Sequence, residues 1–139
     1  ISKRRWPDKV SASIMFSGDL ANRIYAGADM FLMPSKFEPC GLAQMIALRY
    51  GTIPIVRETG GLKDSITDLG GGWGNGYTFQ SYNAHHMMDA VLRAQRDYRD
   101  KKKWEELVQR AMKEDFSWDR SAKEYLRLYE RLLERNLKG

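Results

Sequence analysis

Residues 35–44 read Ser-Lys-Phe-Glu-Pro-Cys-Gly-Leu-Ala-Gln and hold the residue types best suited to chemistry in this chain. They follow a short apolar run, Met30 to Pro34, and precede a helix-like run, Ala43 to Tyr50. Glu38 is therefore placed where a strand ends and a helix begins, the position at which open α/β sheets bind ligands. Gly41 lets a ligand approach the backbone, and the unpaired N–H groups of a new helix attract anions. A carboxylate beside an anion site suits a ligand with hydroxyls at one end and phosphate at the other, such as a sugar nucleotide. The same pattern also admits a helix-entry carboxylate of structural value only.

Thr59-Gly60-Gly61 follows the apolar run Pro54-Ile55-Val56, so it too falls at the C-terminal edge of the expected sheet. Consecutive glycines there allow a backbone nest for phosphate or a simple turn. Other candidates are weaker. The patch from Gly70 to Gly76 is neither a Walker A loop nor a dinucleotide fingerprint, because the required spacings are absent. It reads as a flexible loop or a lid. His85 and His86 are adjacent at a helix start and lack a second pair at metal spacing. Cys40 has no His or Cys near it in sequence and reads as a small residue beside the site rather than a nucleophile. Trp118 reads as a core anchor for a last helix.

The elements that must position these residues alternate in the first half. Residues 9–15 and 30–33, 52–56 and 77–79 are expected strands, and 17–27, 41–50 and 61–68 expected helices, with Ser17 as an N-cap and Gly51 as a C′ residue. This βαβα rhythm predicts a parallel sheet with right-handed crossovers. From about residue 82 to 139 the chain reads as a helical tail, the last helix capped by Ser117 and carrying Tyr125, Leu126, Tyr129, Leu132 and Leu133 on one face. The 139 residues suit a single domain, 1–139, with a real core. Four strands are few for a doubly wound domain, and position 1 is Ile rather than Met, so further strands are expected upstream.

Hydrophobic residues make up 42% and charged residues 29%, which excludes a disordered chain. No apolar run approaches a membrane span, and the first residues lack the apolar core of a signal peptide. One cysteine excludes an internal disulfide and fits a reducing, cytoplasmic setting. The net charge is +5, but the basic residues gather only at Lys3-Arg4-Arg5 and Lys101-Lys102-Lys103, so a solvated surface is expected rather than a nucleic-acid or membrane partner.

The chain resembles the C-terminal part of the bacterial glycogen synthases of the ADP-glucose type and their plant starch synthase relatives. The resemblance runs through Arg23 to Asp29, Pro34 to Gln44, Arg49 to Asp64, Asp115 to Trp118 and the helix at Tyr125 to Tyr129. It implies a partial Rossmann-like parallel sheet with helices, the C-terminal portion of a GT-B glycosyltransferase, with the N-terminal GT-B domain as the missing partner. It implies retaining transfer of glucose from ADP-glucose to the non-reducing end of an α-1,4-glucan such as glycogen, in a bacterial cytoplasm, with no metal and no cofactor. By the same resemblance Glu38 contacts the donor glucose, and the backbone at Cys40, Gly41 and Leu42 approaches the sugar and distal phosphate. Thr59, Gly60 and Gly61 line the same pocket, and Phe16 stacks on adenine with the ring of the family's Tyr but without its hydroxyl. The family's phosphate-binding Arg and Lys pair would lie upstream of residue 1, so the isolated chain is expected to be inactive. Lys36 and Ala43 stand where Arg and Thr are common. Related transferases carry a second Glu eight residues after the first, where this chain has Ile46, which favours the glycogen and starch synthases over a sucrose synthase relative. A non-catalytic nucleotide-sugar-binding module is the other reading.

Overall fold

The computed structural model describes residues 5–136. Three parallel strands, β1 (Met30–Met33), β2 (Ile53–Arg57) and β3 (Tyr77–Phe79), lie side by side in chain order. Met30 pairs with Ile53 and Met33 with Val56, while Ile55 pairs with Tyr77 and Arg57 with Phe79. Among the described residues six helices accompany them: α1 (Gly18–Gly27), α2 (Ala43–Tyr50), α3 (Gly61–Ser65), α4 (Ala84–Tyr98), α5 (Lys101–Met112) and α6 (Trp118–Asn136). A short 3₁₀ turn, Leu69–Gly71, precedes β3.

Residues 53–56 of the central strand are all buried, as a continuous apolar run in a covered parallel sheet requires. Pro54 is tolerated there. The Ile53 N–H donates toward β1, to Asp29 O at 3.0 Å, so the next backbone nitrogen faces the β3 side. There the ladder begins only at Ile55, and no bond is lost. The core fills the space between the sheet and α2, α4 and α5 with Leu48, Ile55, Leu62, Tyr77, Trp104 and Leu107. Ala90, Ala94 and Ala111 are buried too, and their small side chains let the helices approach closely.

The local stops act as their residues dictate. The Ser17 hydroxyl caps α1 by accepting the Leu20 N–H at 3.3 Å. Gly51 ends α2 in the left-handed region at φ 80°, donating to Leu48 O. At the head of α6, Ser117 Oγ accepts the Arg120 N–H at 3.4 Å.

Three expectations are corrected. Residues 9–15 form no strand: the segment is irregular, and Ile14 is fully exposed. Alternation makes a strand only where another strand's N–H and C=O groups face it, and among the described residues β1 has a ladder with β2 alone. Trp118 is not a core anchor, since 84% of its surface is exposed, and residues 118–135 of α6 are all exposed. The glycine-rich patch is anchored rather than loose. Asp68 caps the 3₁₀ turn through Gly70 N–H, Asn75 Oδ1 accepts the Thr67 N–H at 2.8 Å, and Gly74 and Gly76 are buried against neighbouring backbone.

Candidate functional site

The site is built where β1 and β2 run out. After Met33 the chain turns through Pro34 to Leu42 before entering α2. Glu38 lies half-buried in this loop, with the Ser35 hydroxyl 3.4 Å from its carboxylate. Arg57, the last residue of β2, fixes the loop from beside it. Its guanidinium donates to Ser35 O at 2.9 Å, to Lys36 O, and to Gln80 O at 3.3 Å just past β3. One side chain thus ties together the exits of all three strands. Sequence reasoning passed over Arg57; the available signal was a cation ending a wholly apolar strand next to the glycine pair.

The second loop, Thr59-Gly60-Gly61, lies directly on the first. The Gly61 N–H is shared between Glu38 O and Pro39 O, both at 3.2 Å. A Cβ at Gly61 would stand 1.7 Å from Cys40 O, and one at Gly60, where φ is +45°, would stand 2.0 Å from Glu38 O. Only glycines permit this approach. Because the Gly61 N–H is turned onto the Glu38 loop, this residue serves the site by joining the two loops rather than by donating outward.

Helix α2 begins at this junction without a side-chain cap, Leu42 occupying the N-cap position. Among the described residues, the N–H groups of Cys40, Gly41 and Leu42 have no acceptor. Free donors and the positive end of the helix dipole make this an anion-accepting corner a few residues from a carboxylate. Gly41, at φ +72°, is buried against the Gln44 amide. Cys40 is exposed and, with Gln44, Gly61 and Ser65, borders a cleft of about 530 Å³. Leu42 faces a separate apolar groove of about 480 Å³ with Met45, Ile46 and Phe116.

Of the residues singled out in the sequence, Glu38, Cys40, Gly41, Gly60 and Gly61 are brought together, with Thr59 entering the second loop. Phe16 is not joined to them: it is fully exposed on the irregular segment before α1, so it is no core residue either. His85 and His86 are exposed on the first turn of α4, capped by Asn83. Among the described residues no cluster of three or more His, Cys, Asp or Glu side chains is placed to hold a metal ion.

Behind the two loops, Asp68 braces β3. Its carboxylate accepts from Arg93 at 2.8 Å and from the N–H groups of Gly70 and Thr78. Burial alone would raise its pKa, but the Arg93 bond and the two N–H groups outweigh it and hold the carboxyl below the usual carboxylate range.

Comparison with known proteins names the family. The profile of the glycosyl transferases group 1 matches residues 8–113. The chain belongs to this family. Its fold is that of a GT-B glycosyltransferase domain. It is similar to the glycogen synthase of Bacillus anthracis, 56% identical over 93% of this chain and 28% of that protein, and to that of Clostridium novyi, 53% identical over 93% and 27%. The catalytic domain of starch synthase IV from Arabidopsis thaliana, solved bound to ADP and acarbose, superposes with a TM-score of 0.83 at 42% identity, over 94% of this chain and 28% of that one. The group 1 chain therefore spans a little more than a quarter of the length of the relatives it matches. No helix among the described residues is long and apolar enough to cross a membrane.

Proposed function

We propose that this chain is the donor-binding part of a glycogen synthase, an enzyme that transfers glucose from ADP-glucose to the non-reducing end of an α-1,4-glucan with retention of configuration. The observation that carries the reading is the junction of two loops that sets Glu38 beside the uncapped start of α2. The high identity to glycogen synthases and the likeness to a starch synthase that binds ADP and acarbose support it.

In this reading the Glu38 carboxylate accepts hydrogen bonds from hydroxyls of the donor glucose and holds its anomeric carbon within reach of the acceptor. The N–H groups of Cys40, Gly41 and Leu42 and the α2 dipole take up part of the charge that develops on the departing diphosphate. Thr59 and Gly60 close the pocket from the second loop, while Gly61 seats that loop on the first. Phe16, an exposed ring on the segment before α1, offers a stacking surface for adenine. No metal or organic cofactor takes part.

The N-terminal GT-B domain is the partner that would bring the acceptor glucan, and the family's phosphate-binding Arg and Lys pair would come from the longer protein as well. Residues 1–139 form a single domain whose last helix, with Tyr125, Leu126, Tyr129 and Leu133 exposed, presents an apolar face to that partner. The setting is the bacterial cytoplasm. The test is incorporation of labelled glucose into glycogen by the longer protein that carries this chain, from ADP-glucose and from UDP-glucose, beside the 139 residues alone. Transfer from ADP-glucose by the longer protein, with none by the isolated chain, is expected. Absence of transfer by the longer protein, or transfer by the isolated chain, contradicts the reading.

A further inference from the structure

Gln44 is the second residue of α2 and is completely buried. Its amide nitrogen lies 2.8 Å from Gly41 O, 3.0 Å from Ser65 Oγ and 3.4 Å from Cys40 O. Ser65 in turn donates its own proton to Gly61 O at 2.7 Å. One hydrogen-bonded chain therefore runs from the Cys40-Gly41 backbone through Gln44 and Ser65 to Gly61, joining the loop that carries Glu38 to the loop that lies on it.

The other half of the amide is unmatched. Gln44 Oε1 is buried and accepts from no donor among the described residues. A buried acceptor left without a partner is destabilising. Methionine has nearly the same shape and no such acceptor, so packing alone gives no reason for glutamine here.

What the amide supplies is orientation. In a trans peptide the C=O and the following N–H point in opposite directions. Drawing the Cys40 and Gly41 carbonyls inward onto Gln44 turns the N–H groups of Gly41 and Leu42 outward, and these are two of the donors left free at the start of α2. The fit also explains Gly41: a Cβ there would stand 2.6 Å from Gln44 Oε1, in a backbone conformation of positive φ.

We propose that Gln44 is a positioning residue, acting with Ser65, that aims the Gly41 and Leu42 N–H groups at the leaving diphosphate of the donor. This deepens the functional reading above and rests on it. Gln44 touches no substrate; it acts through the peptide groups it holds.

The experiment compares wild type, Gln44→Met, Gln44→Glu and Ser65→Ala in the longer protein. It follows kcat, the KM for glycogen, ADP affinity by calorimetry, and the melting temperature. Gln44→Met should lower kcat by about tenfold or more, because small misplacements of binding groups are costly. It should also weaken ADP binding, leave the KM for glycogen within about twofold, and barely move the melting temperature. Gln44→Glu, which keeps the shape but cannot donate to the carbonyls, should lose as much activity. Ser65→Ala removes only the bridge and should lower kcat several-fold; it serves as the readout if the Gln44 variants do not fold. A folded Gln44→Met enzyme with kcat and ADP affinity within about twofold of wild type overturns the proposal, as does a normal Ser65→Ala enzyme where neither Gln44 variant folds. If the wild-type protein transfers nothing from ADP-glucose, it is the functional reading that fails. ADP affinity of wild type against Gln44→Met then still decides the clamp.

Discussion

The loops around Glu38 and the helix α6 are held in opposite ways. The Glu38 loop is fastened at every turn: Arg57 takes its carbonyls at one end, Gly61 its middle, and Gln44 its last residues. Helix α6 is nineteen residues long, and residues 118–135 of it are all exposed. The difference teaches where each region's geometry comes from. The loops are shaped by short-range bonds and backbone contacts that this stretch of chain supplies for itself. The apolar stripe of α6 is patterned for burial, but nothing in the described residues packs against it. A site can therefore be preformed in a piece of protein whose outer surfaces remain uncovered.

The sharpest way to break this comparison is to force the two loops apart. Gly61→Ala places a methyl group against the Cys40 carbonyl, a backbone atom that cannot swing away. We expect it to lower stability by about 3 kcal/mol in urea unfolding, at the upper end of ordinary overpacking. Gly72→Ala is the control: φ is +86° there, but no atom lies within 4 Å, so only the left-handed strain of about 1–2 kcal/mol is expected. Equal losses at the two positions would mean that the loops are not seated on one another.

A smaller effect probes the brace behind the loops. Because Asp68 has a lowered pKa in the folded chain, its ionised form stabilises the fold. That contribution is complete above the unfolded value of about 3.9 and fades as pH falls through the folded value. Asp68→Asn should therefore be less stable than wild type at neutral pH, and the gap should narrow as pH drops below about 4. Unfolding midpoints measured from pH 7 downward check this; a constant gap would remove the ion pair from the account.

The smallest effect belongs to α6. Leu126→Ala in the 139-residue chain should change stability by less than about 0.5 kcal/mol, as at an ordinary surface position. Leu107→Ala, in the core at 1% exposure, should cost about 2–5 kcal/mol. A large loss at Leu126 would show that α6 is packed in solution and would erase the contrast on which the comparison rests.

The same contrast explains what could be read in the residues alone. Elements defined by local chemistry were legible. Ser17 capped its helix, Gly51 ended α2 in the left-handed region, and Tyr77–Phe79 became a strand at the expected place. The meeting of the Glu38 and Thr59 segments was legible as well, because both follow strands at one sheet edge. Features that depend on a packing partner were not. Residues 9–15 alternate like a strand but face no ladder, and Trp118 looks like an anchor but meets no core. Arg57 and Gln44 escaped notice for another reason. Their roles lie in carbonyls captured across gaps of 21 to 23 residues and in buried amide bonds, which no local pattern announces.

The central claim is that this preformed junction positions the donor sugar through Glu38. It is tested most directly by steady-state kinetics of Glu38→Ala in the longer protein, with ADP-glucose and glycogen as substrates and a melting curve run in parallel. The account predicts turnover lower by about 10²-fold or more with an almost unchanged melting temperature, since a reacting group left unpositioned costs that much while, of the loop's fastenings, the carboxylate takes part only in the long Ser35 bond at 3.4 Å. Near-normal turnover together with a collapsed melting temperature would contradict it and make Glu38 a structural residue of the loop.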